Sequence, residues 1–256
     1  MNFNNTLIHA SSLGKLFTEP IKKEDKEAGN LSTTAKTHLI EVYIREKYGR
    51  RKDIETKQMS KGKLAEDDSL LLLSEYLGEY LEKNEDVVKN NFIVGTPDAF
   101  TGDCITKADV IYDVKSSYDI FTFLANVEGN LNKDYYYQLQ AYMWLTGADD
   151  GYVAYCLVDL PFEQLEAEKQ YLMRKIGAIS EESQDFKDAW KKKESLFLYN
   201  DIPESERILL FNVQKDPTFP EKCQQKVEKA RIFLNELENK HIHFNNILKF
   251  MQNNVP

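Results

Sequence analysis

The segment from Ala108 to Lys115 restricts the fold more than any other part of this 256-residue chain, because its side chains alternate in character. Apolar side chains occupy one face of the predicted strand, namely Val110, Tyr112 and Val114. The other face changes from apolar Ile111 to charged Asp113 and Lys115. This pattern predicts a half-buried strand that ends in a small charged cluster.

A second acidic residue, Asp98, precedes Asp113 by 15 residues. A strand is predicted over Asn91–Val94, and Thr101-Gly102-Asp103 carries a turn signal. A hairpin of this length can bring the two carboxylates side by side. Lys115 lies two residues beyond Asp113, so the strand period places both on the same face.

Two carboxylates and one ammonium group are costly to bring together at a strand end. Phosphodiester hydrolysis gives a reason for doing so, since carboxylate oxygens hold Mg²⁺ and an ammonium group orients water or balances charge on the phosphate. The alternative is an ordinary ion pair on an edge strand. A bare D-x-K pattern does not exclude that alternative.

An upstream helix is predicted over roughly Ser60–Leu77, with Leu64, Leu71, Leu72 and Tyr76 among its apolar positions. Gly62 inside this helix suggests the close approach of another backbone. Glu66, one turn later, is a candidate metal ligand or water-orienting group. The alternative is an ordinary exposed acid.

A downstream aromatic helix is predicted over Lys133–Leu145, ending at Gly147. Gln138 and Tyr142 are four residues apart and therefore share one face of it. An amide and a phenol on one face suit holding a phosphate or the catalytic lysine. The alternative is that the tyrosines pack in the core.

The remaining segments complete an α/β domain that spans residues 1–256, with a catalytic core at about 60–160. It is predicted to be a mixed central β-sheet flanked by helices, with an N-terminal helical segment and a C-terminal strand and helix. The other predicted elements are helices at Ser12–Phe17, Ala35–Tyr48 and Pro220–Lys240, strands at Gly151–Val158 and Ile208–Val213, and a loop at Lys22–Thr34.

Composition limits the partners without deciding them. The net charge of −9 leaves room for a local basic surface that contacts DNA, and candidates for that surface are Arg45, Arg50, Arg51 and Lys52. Three scattered cysteines predict buried thiols in a reducing compartment and argue against an iron–sulfur cluster. With no apolar run long enough for a bilayer and no signal-peptide layout, a cytoplasmic location is expected.

Four motifs occur in an order that resembles the PD-(D/E)xK nuclease superfamily, and in particular the phage lambda exonuclease or YqaJ-type recombination nucleases. They are Gly62 to Glu66, Pro97-Asp98, Asp113-Val114-Lys115, and Gln138 to Tyr142. The start at Ala10-Ser11-Ser12 is also similar to that family's N-terminal segment. The resemblance covers nearly the whole chain and implies a restriction-endonuclease-like core.

The resemblance also implies roles for individual residues. Asp98 and Asp113 would bind Mg²⁺, for which Mn²⁺ would substitute, together with the Val114 carbonyl. Glu66 would complete the acidic set and Lys115 would be the catalytic lysine. Gln138 and Tyr142 would support the site or the scissile phosphate.

Members of that family that work processively form toroidal trimers and degrade one strand of linear duplex DNA from a 5′ end. Their partner is often a single-strand annealing protein, and the resemblance implies a phage or prophage origin in a bacterial host. One departure is that the segment from Thr6 to Ser12 lacks the arginine that usually meets the 5′-phosphate. Ser11, Ser12 and a helix N-terminus are candidates to bind an anion instead. The open alternatives are a structure-specific or single-strand endonuclease and a catalytically silent DNA-binding protein.

Overall fold

The computed structural model describes residues 1–53, 56–129 and 131–253, with residues 245–253 described by their backbone alone. Its helices are α1 (Leu13–Phe17), α2 (Lys23–Glu27), α3 (Thr33–Tyr48), α4 (Lys57–Leu64), α5 (Glu66–Leu77), α6 (Ile120–Glu128), α7 (Lys133–Thr146), α8 (Phe162–Ile176), α9 (Gln184–Lys191) and α10 (Phe219–Asn253). Its strands are β1 (Ile8–His9), β2 (Val88–Lys89), β3 (Ile93–Gly95), β4 (Ala99–Gly102), β5 (Ala108–Ser116), β6 (Asp150–Cys156) and β7 (Ile208–Gln214).

The strands form two sheets. The larger has the order β4-β5-β6-β7, in which β5 and β6 run parallel and the two outer pairs are antiparallel. The smaller has the order β1-β3-β2. Helices pack on the larger sheet, with α5 on one side of β5 and α7 on the other. The predicted mixed sheet flanked by helices is therefore confirmed, as is the C-terminal strand and helix.

Both faces of β5 are covered, so the prediction of a half-buried strand is wrong. Ile111 belongs to the larger core, which also contains the N-terminal segment and α7. Tyr112 and Val114 belong to a second core, formed largely with α5. The alternation of side chains was predicted correctly, but the sequence of the strand does not show that a helix covers each face.

Helices α3 and α7 end where their sequences predict. Gly49 and Gly147 follow the last helical residues with φ of 64° and 91°, a left-handed conformation that glycine adopts without steric cost. At the other end of α3, the Ser32 side chain accepts a hydrogen bond from the Ala35 amide. The loop predicted over Lys22–Thr34 is wrong, because α2 occupies Lys23–Glu27 and α3 already begins at Thr33.

The single helix predicted over Ser60–Leu77 is two helices, α4 and α5, separated at Ala65. Ala65 has φ −99° and ψ 8°, outside the helical range, and it is fully buried. The helix before it is anchored by Lys61, which is also fully buried and donates from Nζ to the carbonyl oxygens of Tyr118 and Val158. Burial lowers the pKa of Lys61 to about 8.

The break changes which side chains of this segment are buried. Leu64, Leu71 and Tyr76 were predicted to pack but are exposed. The leucines that pack under the sheet are Leu70, Leu72 and Leu73. The buried face of this segment could therefore not be assigned from one uninterrupted helical period, because the break at Ala65 changes the direction of the residues after it.

The prediction that Gly62 marks a close backbone contact is also wrong. A Cβ built at Gly62 meets no atom within 4 Å among the described residues. Gly62→Ala is therefore expected to raise the free energy of unfolding by about 0.5–1 kcal/mol, because alanine loses less backbone entropy in a helix. Gly14→Ala is the contrasting variant, since its Cβ would lie 2.6 Å from the Asp134 Cα. It should destabilise the protein by about 1–3 kcal/mol, and urea unfolding measures both changes.

Two further predictions concern thiols and membranes. Cys156 and Cys223 are buried and unpaired as expected, whereas Cys104 is exposed because it lies in the turn between β4 and β5. Within the described ranges, no helix has both the length and the apolar character needed to cross a bilayer.

Candidate active site

Asp98 lies at the start of the β4–β5 hairpin, where the two strands cease to pair. The last ladder pair on this side is Ala99 with Tyr112, which leaves the next backbone groups of β5 without a strand partner there. Asp98 Oδ2 replaces the missing strand partner, because it accepts a hydrogen bond of 2.6 Å from the Val114 amide. Asn84 fixes the same segment, because its backbone N donates to the Asp98 carbonyl at 2.9 Å.

Asp113 is fully buried beside Asp98. Its Oδ1 accepts one hydrogen bond from Lys115 Nζ at 2.7 Å and another from Gln138 Nε2 at 2.9 Å. Its Oδ2 is buried and has no hydrogen-bond partner among the described residues. The structure therefore brings Asp98, Asp113, Lys115 and Gln138 into one cluster, with one carboxylate oxygen left for a further ligand.

Tyr142 supports this cluster from behind. Gln138 Nε2 also donates to the Tyr142 hydroxyl at 2.9 Å, and the Tyr142 side chain is buried. Its ring packs directly against Gly95, where a Cβ would lie only 2.6 Å from Tyr142 Cε1. In this conformation Tyr142 orients Gln138, and through it Asp113.

Burial and mutual repulsion make the two carboxylates harder to ionise. Burial first, and then the charge of Asp113, raise the pKa of Asp98 from 3.8 to about 6. Burial also raises the pKa of Asp113, although the Lys115 ammonium group opposes this. Burial alone would lower the pKa of Lys115, but the two carboxylates outweigh it and raise this pKa. The lysine therefore stabilises the ionised form of the two carboxylates, which burial disfavours.

The cluster fits a divalent cation. Paired carboxylates are the hard oxygen ligands that Mg²⁺ prefers, and the unpartnered Asp113 Oδ2 is one of them. Val114 donates its N–H to Asp98, and a strand residue points its carbonyl to the same edge as its N–H, so this carbonyl faces the same gap. Within the described residues, no group of three acidic, histidine or cysteine side chains could hold a metal.

Glu66 does not join Asp98 and Asp113 in such a group. It is the first residue of α5, and its carboxylate pairs with Lys83 at 3.4 Å. Lys83 also pairs with Asp67 at 3.0 Å and is close enough to lower the pKa of Asp98. A role for Glu66 in binding the metal stays a prediction, and it requires Lys83 to release Glu66.

The predicted DNA-contact residues lie around one cavity of about 340 Å³. They come from the N-terminal segment, from α3 and from the residues after it, namely Ser11, Ser12, Arg45, Arg50, Arg51 and Lys52. Lys52 is paired with Glu41 at 2.5 Å, and Arg45 is paired with Glu46 at 3.0 Å. The cavity therefore combines guanidinium groups with serine hydroxyls, and two carboxylates at its rim neutralise part of its positive charge.

Two histidines that the sequence did not indicate also line this cavity. Burial first, and then the charges of Arg45 and Arg51, lower the pKa of His9. His38 Nδ1 is buried and has no hydrogen-bond partner among the described residues. The Glu41 carboxylate lies 3.8 Å from His38 Nδ1. Because the described part of the lining holds Arg45, Arg50, Arg51 and Lys52 against this one acid, the cavity is positively charged overall.

A short path of packed residues connects this cavity to the acidic cluster. Strand β1 pairs in parallel with β3, so that His9 lies opposite Val94. The next residues, Ala10 and Gly95, are in close contact, since a Cβ at Gly95 would lie 2.9 Å from Ala10 Cβ. Tyr142 contacts the same Gly95. Gly95 therefore contacts both Ala10, next to the cavity wall, and Tyr142, which orients Asp113 through Gln138.

A mixed sheet flanked by helices, with paired acids and a lysine on a hairpin, is consistent with a restriction-endonuclease-like nuclease fold. No family model and no curated protein matches the chain. A solved structure does match, that of a phage-related exonuclease from Haemophilus somnus 129PT, which is 26% identical with a TM-score of 0.70. This match covers 93% of the present chain and 97% of the other.

An alkaline exonuclease from Laribacter hongkongensis, LHK-Exo, is similar in fold at 12% identity. Its TM-score is 0.60, and the match covers 97% of this chain and 96% of that one. A second structure of LHK-Exo, in complex with dAMP, has a TM-score of 0.58 at 13% identity over the same shares. The resemblance predicted from the four motifs is therefore confirmed. The phage-related exonuclease, at 26% identity, supports a nuclease function, while the two LHK-Exo structures show a shared fold.

Proposed function

We propose that this chain is a Mg²⁺-dependent exonuclease that hydrolyses phosphodiester bonds of linear duplex DNA, in the 5′-to-3′ direction. The observation that carries this proposal is the buried cluster of Asp98, Asp113 and Lys115, in which Asp113 Oδ2 has no partner among the described residues. The similarity to a phage-related exonuclease over nearly the full chain supports the same reaction.

Asp98, Asp113 and the Val114 carbonyl would hold the metal, and Mn²⁺ is expected to substitute for Mg²⁺. The bound ion supplies Lewis-acid chemistry by polarising a phosphoryl oxygen of the substrate. Lys115 donates a hydrogen bond from its ammonium group to the attacking water or to the phosphate, where negative charge develops. Gln138 keeps Asp113 in place, because its amide is fixed between that carboxylate and Tyr142.

The positively charged cavity supports a preference for DNA ends. Ser11, Ser12, Arg45 and Arg51 provide hydroxyl and guanidinium donors of the kind that bind a terminal phosphate. Arginine is missing from the N-terminal segment itself, but α3 and the residues after it bring arginines to the same place. The contact through Gly95 would couple an end bound there to the acidic cluster.

The proposal is tested by digesting end-labelled duplexes that carry either a 5′-phosphate or a 5′-hydroxyl. Wild-type protein should shorten the phosphorylated duplex faster in Mg²⁺ and should lose activity in EDTA. A covalently closed single-stranded circle should remain intact. Cleavage of that circle would support an endonuclease, and DNA binding without any cleavage would support a silent DNA-binding protein.

Arg51→Ala is expected to reduce kcat/KM on the 5′-phosphorylated duplex by about tenfold, because one charge-assisted hydrogen bond to the phosphate is lost. Activity on the 5′-hydroxyl duplex should change by less than about twofold. The matched control is Arg174→Ala, which removes an exposed arginine of α8. An equal loss on both duplexes would show that Arg51 does not recognise the end.

Assembly and partners are part of the same proposal. A toroidal trimer would surround duplex DNA and concentrate the basic residues of an otherwise acidic chain. A single-strand annealing protein is the expected partner, because 5′-to-3′ digestion leaves a 3′ single strand for it to bind. Light scattering of the purified protein tests the trimer by its mass.

A further inference from the structure

The ammonium group of Lys115 has a second neighbour besides Asp113. It lies over the ring of Tyr135, 5.0 Å from the ring centroid. Tyr135 is in the first turn of α7, three residues before Gln138 and seven before Tyr142, so the three share one face of the helix. An aromatic face attracts a cation at this distance, and more strongly where water is excluded.

Other aromatic side chains hold the ring of Tyr135 in place. Its centroid lies 6.0 Å from that of Tyr155, which is opposite Lys115 in the register of β5 and β6. The Tyr155 ring in turn meets Phe211 of β7 edge-on at 5.6 Å. We define Tyr135, Tyr155 and Phe211 as the aromatic row. It starts beside the Lys115 amine and continues through the buried Tyr155 of β6 to the half-buried Phe211 of the edge strand β7.

We propose that Tyr135 is a positioning residue for Lys115, and this inference rests on the nuclease function proposed above. The Asp113 carboxylate holds the ammonium group on one side at 2.7 Å, and the Tyr135 ring bounds it on another. About a fifth of the Lys115 side chain, 22%, remains exposed. The carboxylate and the ring thus fix the position of the ammonium group before substrate binds, and the exposed part of the side chain leaves it reachable from solvent.

The test compares variants that keep or remove the ring face. Tyr135→Leu should lower kcat on linear duplex DNA by about tenfold with KM unchanged. Tyr135→Phe keeps the ring and should stay within about twofold of wild type. Tyr135→Met, of similar length to leucine and more flexible, repeats the test if the leucine variant does not fold. The control is Tyr171→Leu, because Lys193, which follows α9, lies over the ring of Tyr171 in α8 at 5.6 Å in a separate cation–π pair.

A second readout does not depend on activity. An amine-reactive ester should label Lys115 faster in metal-free Tyr135→Leu than in wild type, by about twofold or more, as measured by mass spectrometry. Tyr171→Leu should leave that rate unchanged. If wild type does not cleave DNA, the proposed function fails, while the labelling still decides whether the ring holds the amine.

Three results would overturn the inference. An equal loss of kcat in Tyr135→Phe and Tyr135→Leu would assign the effect to the hydroxyl group. A raised KM with kcat unchanged would make Tyr135 a DNA contact. Unchanged kcat in the leucine and methionine variants, with unchanged labelling of Lys115, would show that the ring does not position the amine.

Discussion

Asp98→Asn is expected to abolish nuclease activity while making the metal-free protein more stable. The asparagine keeps an oxygen that can accept from the Val114 amide, and its NH₂ group can donate to Asp113 where a carboxylate now repels it. The pKa of Asp98 is raised from 3.8 to about 6, so its ionised form is disfavoured in the folded protein. Removing that charge should raise the free energy of unfolding by about 2 kcal/mol at pH 7.5.

The sign of the pH dependence follows from the raised pKa. Between the unfolded value of 3.8 and the folded value of about 6, the folded protein binds more protons than the unfolded chain, so this group makes wild type less stable as pH rises. Above about pH 6 the ionised Asp98 lowers the free energy of unfolding of wild type by its full amount, and a further rise in pH adds little. The stability advantage of Asp98→Asn should therefore grow by about 1 kcal/mol between pH 5 and pH 7.5.

Urea unfolding in EDTA measures the stability, and digestion of linear duplex DNA in Mg²⁺ measures the activity. Activity should fall by about 10³-fold, because the site loses several kcal/mol of metal-assisted stabilisation of the transition state. Asp109→Asn is the matched control, an exposed aspartate on the partner strand β5 of the same hairpin, and should change neither quantity appreciably. An Asp98→Asn variant that is less stable than wild type would contradict this account of the cluster.

The sequence predicted the parts of the fold that depend on residues close together along the chain, such as strand alternation and helix ends. The alternation along β5 separated two cores, and the glycines at positions 49 and 147 ended α3 and α7. The break at Ala65 was missed because its cause is not local. Ala65 packs in the core under the sheet, and Lys61 donates hydrogen bonds to carbonyls of residues far along the chain. The residues next to Ala65 in the sequence do not indicate these distant contacts.

The candidate site was predictable to a similar extent. The prediction that Asp98, Asp113 and Lys115 lie together is confirmed by the hydrogen bonds. The first strand of the predicted hairpin was wrong, because the strand near Asn91–Val94 belongs to the smaller sheet and β5 pairs with β4, which begins just after Asp98. Lys83 was missed, because it comes from the segment after α5 and pairs with Glu66 only in the folded chain. Tyr135 could have been found, since it lies on the same helical face as Gln138.

Lys115→Met is expected to act on stability in the opposite direction from Asp98→Asn. The ammonium group is the charge that compensates two buried carboxylates, so its removal leaves them unpaired. Breaking a buried ion pair in this way should lower the free energy of unfolding in EDTA by about 3 kcal/mol at pH 7.5. Part of this deficit should disappear near pH 5, where the carboxylates, with their raised pKa values, take up protons.

Mg²⁺ distinguishes the two contributions of Lys115. Without the lysine, the carboxylates attract a cation more strongly, so saturating Mg²⁺ should stabilise Lys115→Met more than wild type and recover most of the lost stability. Activity should nevertheless stay about 10²-fold below wild type, because the donor to the reacting phosphate is still missing. Lys107→Met, which removes an exposed lysine before β5, is the control. Recovery of activity together with stability in Mg²⁺ would mean that Lys115 only balances charge, and persistent instability in Mg²⁺ would mean that the carboxylates do not bind the metal.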